Sequence, residues 1–155
     1  MAALYFPKKK NLTPFTLEQR KLVWDAVELL SSQNLPNDWC SNLSGIQFFS
    51  DSGMTVDNGI MGYTSYLRSN EILIASYLVA NLSWNTSGVP NNEAPISVVV
   101  HELTHTAQRR WLFGLIWPVL NIPGVDIFTL EKWAMENQEA SEEILQKRYS
   151  EMRRI

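Results

Sequence analysis

The sequence predicts an α+β domain in which a short, twisted β-sheet packs on a helix bearing an HExxH motif, with a long helix at the C-terminus. Three observations carry the prediction. A helix-capping signature followed by apolar residues at helical spacing opens the chain. The middle is rich in β-branched and aromatic residues cut by Gly, Asn and Asp, and the stretch from about 128 to 149 has no Gly or Pro.

The capping box is Thr16 with Gln19, ahead of Leu17, Val23, Trp24, Val27 and Leu30, and the helix should end before "NLPND". Strands are expected near 46–50, 60–66 and 71–77. "NLSWNTSGVPNNEAP" is a loop, and Pro95 stands where the first turn of the next helix begins. The apolar run "WLFGLIWPVLNIPGVDIF", residues 111–128, is interrupted by Gly114, Pro118, Pro123 and Gly124. It is predicted to be a loop or a set of short turns, with no stable membrane insertion.

Composition narrows the function classes. With 155 residues, 45% of them hydrophobic, residues 1–155 can form one domain with a substantial core. The net charge of -3 is made of mixed signs and the basic runs are short, so no broad basic face is available and nucleic acid is not an expected partner. Cys40 is the single cysteine, so an intramolecular disulfide is excluded. "MAALYFPKKKNL" lacks an apolar segment after a positive start, so no Sec signal peptide is expected; export would use another secretion system or occur as part of a longer secreted protein.

The chemistry is concentrated in "ISVVVHELTHTAQRRW". Both histidines of the chain lie there, four apart, so on a helix His101 and His105 share one face and can present two imidazole nitrogens to one cation. Glu102 projects about 100° round the helix, beside the metal, where it can take a proton from a metal-bound water. An unpaired imidazole on so apolar a helix would be costly, which favours a Zn2+ site over two unrelated histidines.

A catalytic zinc takes three protein ligands and leaves one position open. No third histidine exists, and Cys40 more readily packs as a small hydrophobe. The third ligand is therefore expected to be a carboxylate from "LEKWAMENQEASEEILQKRY", which offers Glu131, Glu136, Glu139, Glu142 and Glu143. On a helical wheel Leu130, Trp133, Ala134, Asn137, Ala140, Ser141, Ile144 and Leu145 form the apolar or small face. Glu136 borders that face beside Trp133 and is the first choice, Glu139 the second and Glu143 the third, with Glu143 also placed to orient a ligand histidine.

These residues resemble the gluzincin metallopeptidases, in which HExxH and a glutamate on a later helix hold zinc. "VVHELTHTAQ", an aromatic and Gly-containing loop and then "WAMENQEA" are similar to the compact HE(L/M)THxxQ domains of bacterial toxins, some of which end type VI secretion spike proteins. The resemblance spans roughly 60–149. It implies a small zincin-like fold and a zinc metallopeptidase activity, with His101, His105 and Glu136 as ligands, Glu102 as base and acid, and an effector or toxin role. Glu139 stands where those domains have a small residue, which keeps Glu139 in contention with Glu136. The additional histidine by which larger gluzincins stabilise the oxyanion is missing; Tyr149, Tyr63 and Tyr66 are the substitutes offered by the sequence.

The implied partners are a protein or peptide substrate, a cell-wall peptide among them, and an immunity or inhibitor protein. "NEILIAS" is the expected edge strand for pairing with extended substrate. Two further readings are a non-catalytic, zinc-stabilised binding module and a membrane-active effector using the loop 111–128. Glu102 disfavours the first, because a purely structural site has no use for it.

Overall fold

The computed structural model describes residues 5–64, 70–87, 89, 93–115 and 127–153, and of 109–115 and 127–130 only the backbone. A 3-10 turn, Lys9–Asn11, leads into β1 (Leu12–Pro14), α1 (Leu17–Gln33), β2 (Gln47–Asp51), β3 (Gly62–Thr64), β4 (Glu71–Ala75), a single turn α2 (Ser76–Val79), α3 (Pro95–Leu115) and α4 (Ile127–Arg153). The α+β class expected from the sequence is the one found.

The predicted capping box forms: Thr16 Oγ1 accepts from the Gln19 amide at 3.2 Å, and the Thr16 amide donates to Gln19 Oε1 at 2.8 Å. Two fewer amide donors at the helix start are left without partners, which fixes where α1 begins. Its buried stripe is Val23, Ala26, Val27 and Leu30. Leu17 and Trp24, expected on that stripe, are 82% and 57% exposed, so the stripe is narrower than the apolar count suggests.

The sheet order is β1-β2-β4-β3, with β2 and β4 parallel and the two outer pairings antiparallel. This corrects the expectation for "NEILIAS": β4 is interior, hydrogen-bonded on both sides, and cannot receive a substrate strand. The physical reason is legible in its burial, since Ile72, Leu73, Ile74 and Ala75 are buried in succession, as befits a strand covered on both faces. The edge beside α3 is β3. The opposite edge, β1, was not expected and carries Pro14, whose missing amide hydrogen is tolerated at an edge.

Pro95 is the first residue of α3, as predicted. Ile96, Val98, Val99, Val100 and Leu103 bury this helix at the centre of the core. The helix continues to residue 115, so the expected loop begins later than 111; residues 116–126 lie outside the described ones. Among the described residues no helix is long and apolar enough to cross a membrane.

α4 packs along α3 through Ala134, Asn137, Gln138, Ser141 and Leu145. Asn137 is fully buried and fully employed. Its Nδ2 donates to Asn37 O at 3.0 Å and to Thr104 Oγ1 at 2.9 Å, and its Oδ1 accepts from the Asn37 amide at 2.9 Å. One side chain thus joins α4, α3 and the segment after α1.

Candidate metal centre

The i, i+4 spacing on α3 does what the sequence leads one to expect: the two imidazoles stand side by side with Nε2 atoms 3.1 Å apart. Their other nitrogens are fixed. His101 Nδ1 lies 2.9 Å from Gln138 Oε1, and His105 Nδ1 lies 2.8 Å from Gln108 Oε1. A carbonyl oxygen only accepts, so each Nδ1 donates, and both Nε2 atoms turn towards one common point.

The carboxylate that meets them there comes from the first turns of α4. Glu131 Oε1 is 2.8 Å from His105 Nε2, and Glu131 Oε2 is 3.3 Å from His101 Nε2. Glu102, only 4% exposed, sits beside this group, and the ligand atoms of His101, Glu102 and His105 all lie within 4.8 Å of one another. The cluster can hold a metal ion.

Edge strand β3 holds Glu102 from the other side. Thr64 Oγ1 donates to Glu102 Oε2 at 3.4 Å and lies 3.3 Å from Glu102 O. At Gly62 a Cβ would stand 2.9 Å from Glu102 Cγ and 3.1 Å from Cδ, so the close approach of strand to helix requires glycine there.

The electrostatics favour a positive charge between the ligand atoms. Burial raises the Glu102 carboxyl above the usual carboxylate range, against the lowering influence of His105 and His101. Burial disfavours a charged His105 ring, yet the hydrogen bond to Glu131, the charges of Glu102 and Glu131 and the bond to Gln108 prevail and raise it to about 9. Hydrogen bonds from His101 and His105 hold Glu131 well below the usual range. In the metal-free protein a proton on His105 Nε2, shared with Glu131, therefore occupies the position a cation would take.

No protein-family model, curated protein or solved structure matches the chain.

The site thus rests on its own geometry. His101, Glu102 and His105 come together as the spacing predicts. Glu136, the third residue of the expected set, is not brought to the two histidines; Glu131 stands there in its place. Glu136 is exposed, as is Glu139, because the buried face of α4 is rotated by about 40° from the one drawn on the wheel. Trp133, weighted there as a core residue, is 40% exposed, while polar Gln138 is 2% exposed. The rotation brings forward the stripe Glu131, Met135, Gln138 and Glu142, spaced i, i+4, i+7 and i+11.

Glu143 is exposed and takes no part in orienting a ligand; Gln108 and Gln138 do that. Gln108 had a signal, since it stands three residues after His105 on the same helix face. Gln138 had none without the correct wheel. Cys40 is buried, and its Sγ donates to Asn42 O at 3.2 Å. Tyr63 points away from the site, because Gly62 and Thr64 face Glu102 and side chains alternate along a strand; its ring packs edge-on against Tyr5. Tyr149 lies 18 residues beyond Glu131, roughly 27 Å along α4, under the Arg153 guanidinium. Tyr66 lies outside the described residues.

Proposed function

We propose that this chain is a zinc-dependent hydrolase of peptide bonds, with His101, His105 and Glu131 as the protein ligands and Glu102 as general base and acid. The convergence of two Nε2 atoms and one carboxylate is the observation that supports it. Nitrogen and oxygen ligands of a tetrahedral zinc sit at about 2.0–2.1 Å, which places them about 3.3 Å apart. The separations of 3.1, 2.8 and 3.3 Å among His101 Nε2, His105 Nε2 and the Glu131 oxygens suit that shape.

Bound zinc supplies Lewis-acid polarisation of an amide carbonyl. The residues supply the rest. The neutral amide partners on both Nδ1 atoms leave the Nε2 lone pairs available as donors. Glu102 is within the reach of one water of the metal position; it accepts a proton from the attacking water and passes it to the departing amine. Its burial strengthens it as a proton acceptor, and the Thr64 hydroxyl donates to one of its oxygens in the space that Gly62 leaves open.

Substrate access is through a cavity of about 310 Å³ that ends at His101, Glu102 and Glu131. Its other walls include Ile60, Met61, Val98 and Met135, and among the described residues no Lys or Arg lines it. Such walls suit an apolar side chain next to the scissile bond. Together with the likeness of HELTHTAQ to compact toxin domains, this makes unfolded proteins and cell-wall peptides the substrates to test and an effector role the biological reading, with an immunity protein as a candidate partner.

The test is cleavage of casein and of a peptide library by the zinc-supplied protein, beside Glu102→Gln. The expected result is that Glu102→Gln keeps its zinc and cleaves roughly 10²–10⁴-fold more slowly. Equal cleavage by both would sink the reading.

A further inference from the structure

We propose that Gln138 is a positioning residue that keeps His101 Nε2 open to the metal, and that Ser97 sets the direction in which the Gln138 amide faces. The proposal rests on the reading of His101 as a ligand through Nε2. A glutamine amide has two unlike ends, a carbonyl that only accepts and an NH2 that only donates. Its NH2 against Nδ1 would send the ring proton to Nε2 and close that nitrogen to a metal. Its carbonyl against Nδ1 holds the proton there and frees Nε2. In the metal-free protein Glu131 Oε2, 3.3 Å from Nε2, draws the ring proton the other way, so the Nδ1 form has to be held by Gln138.

Ser97 makes the choice. It stands one turn before His101 on α3, is fully buried, and its Oγ lies 3.3 Å from Gln138 Nε2. The same Oγ lies 2.7 Å from Ala94 O and 2.7 Å from Glu142 Oε1, both acceptors. The single hydroxyl hydrogen is committed to one of those two, so only lone pairs remain for Gln138. Gln138 must then give its NH2 to Ser97 and its Oε1, 2.9 Å from Nδ1, to His101. Two acceptors compete for one hydrogen, so removing the Glu142 carboxylate leaves the order intact. Removing the Ser97 hydroxyl takes away the acceptor that holds the NH2 end.

Four variants separate this role from simple packing. Gln138→Glu presents only acceptors and imposes the same tautomer, whereas Gln138→Leu imposes none. Zinc affinity, measured by chelator competition on the full chain, is expected to fall roughly 10–100-fold in Gln138→Leu, to fall by about threefold or more in Ser97→Ala, and to stay within about threefold of wild type in Gln138→Glu and Glu142→Gln. Long-range 15N–1H spectra of the metal-free protein at pH 10 give a readout without metal or activity. They should show the His101 proton on Nδ1 in wild type and Gln138→Glu, and moved towards Nε2, which faces Glu131, in Gln138→Leu. Wild-type affinity in Gln138→Leu, or an equal loss in Gln138→Glu, overturns the proposal. A wild-type protein that binds no zinc sinks the metal reading instead, and the spectra still judge Gln138: a proton on Nε2 in wild type overturns its role.

Discussion

Glu102 and its contact with Gly62 are where single atoms decide the chemistry. A methyl group at Gly62 would meet the Glu102 side chain at 2.9–3.3 Å, closer than ordinary packing permits, and the carboxylate is the part free to move. Since Glu102 is not a ligand in this account, Gly62→Ala should keep a full complement of zinc and lose about tenfold or more in peptide cleavage, the cost of a misplaced base. Zinc analysis beside a peptide assay checks both halves; loss of zinc with retained turnover of the loaded fraction would contradict the placement of Glu102.

His105 makes a prediction about pH at the same scale. Its folded value of about 9 lies above the ordinary 6.5, so the pair with Glu131 stabilises the metal-free protein fully below about pH 6.5. That stabilisation, on the order of 3 kcal/mol, is lost as pH rises through about 9. If His105 is a ligand as proposed, zinc would have to displace this proton, so binding near pH 7.5 should release about one proton per metal. Calorimetry in buffers of different ionisation enthalpy measures the release. No proton released would mean that His105 is already neutral or does not bind zinc.

At the scale of elements, α3 and α4 build the site and Asn137 fastens them. Asn137→Ala removes three hydrogen bonds at a fully buried position and leaves Asn37 and Thr104 short of partners, which should cost about 2–4 kcal/mol. Urea unfolding would measure it, and a change under about 0.5 kcal/mol would show that the junction relaxes without cost. The same helices show how far sequence reasoning reaches. Pro95, the four-residue histidine spacing and the capping box are local signals, and each element they announce is present. The third carboxylate depends on which face of α4 turns inward, and that is settled by hydrogen bonds made across the fold. Asn137 and Gln138 are buried because partners on α3 and the segment after α1 satisfy them, and Ser141 because its hydroxyl donates to Gln138 O within α4, so a wheel centred on apolar size is drawn towards exposed Trp133 and from there to Glu136. The interior place of β4 is non-local in the same way: its apolar run signals burial on both faces, yet its neighbours come from residues 47–51 and 62–64.

Across the whole molecule, the sheet edge β3, the metal helix and α4 enclose one cavity whose walls beyond the site are largely apolar. Substrates with Leu, Met or Phe beside the cut bond should be preferred, and Met135→Arg should reduce their turnover while improving that of substrates with Asp or Glu there. Cleavage-site profiles of the two proteins test this; unchanged profiles would place substrate elsewhere. On the proposed reading zinc would tie α3 to α4 and bind only where both are folded, so saturation at about a thousandfold over Kd should add roughly 4 kcal/mol of stability.

The central claim is that Glu131 completes the site with His101 and His105. Elemental analysis of the purified protein, wild type beside Glu131→Ala and Glu136→Ala, tests it most directly. Wild type and Glu136→Ala should each carry one zinc per chain, and Glu131→Ala a weakened or empty site. Full zinc in Glu131→Ala with loss in Glu136→Ala would contradict it.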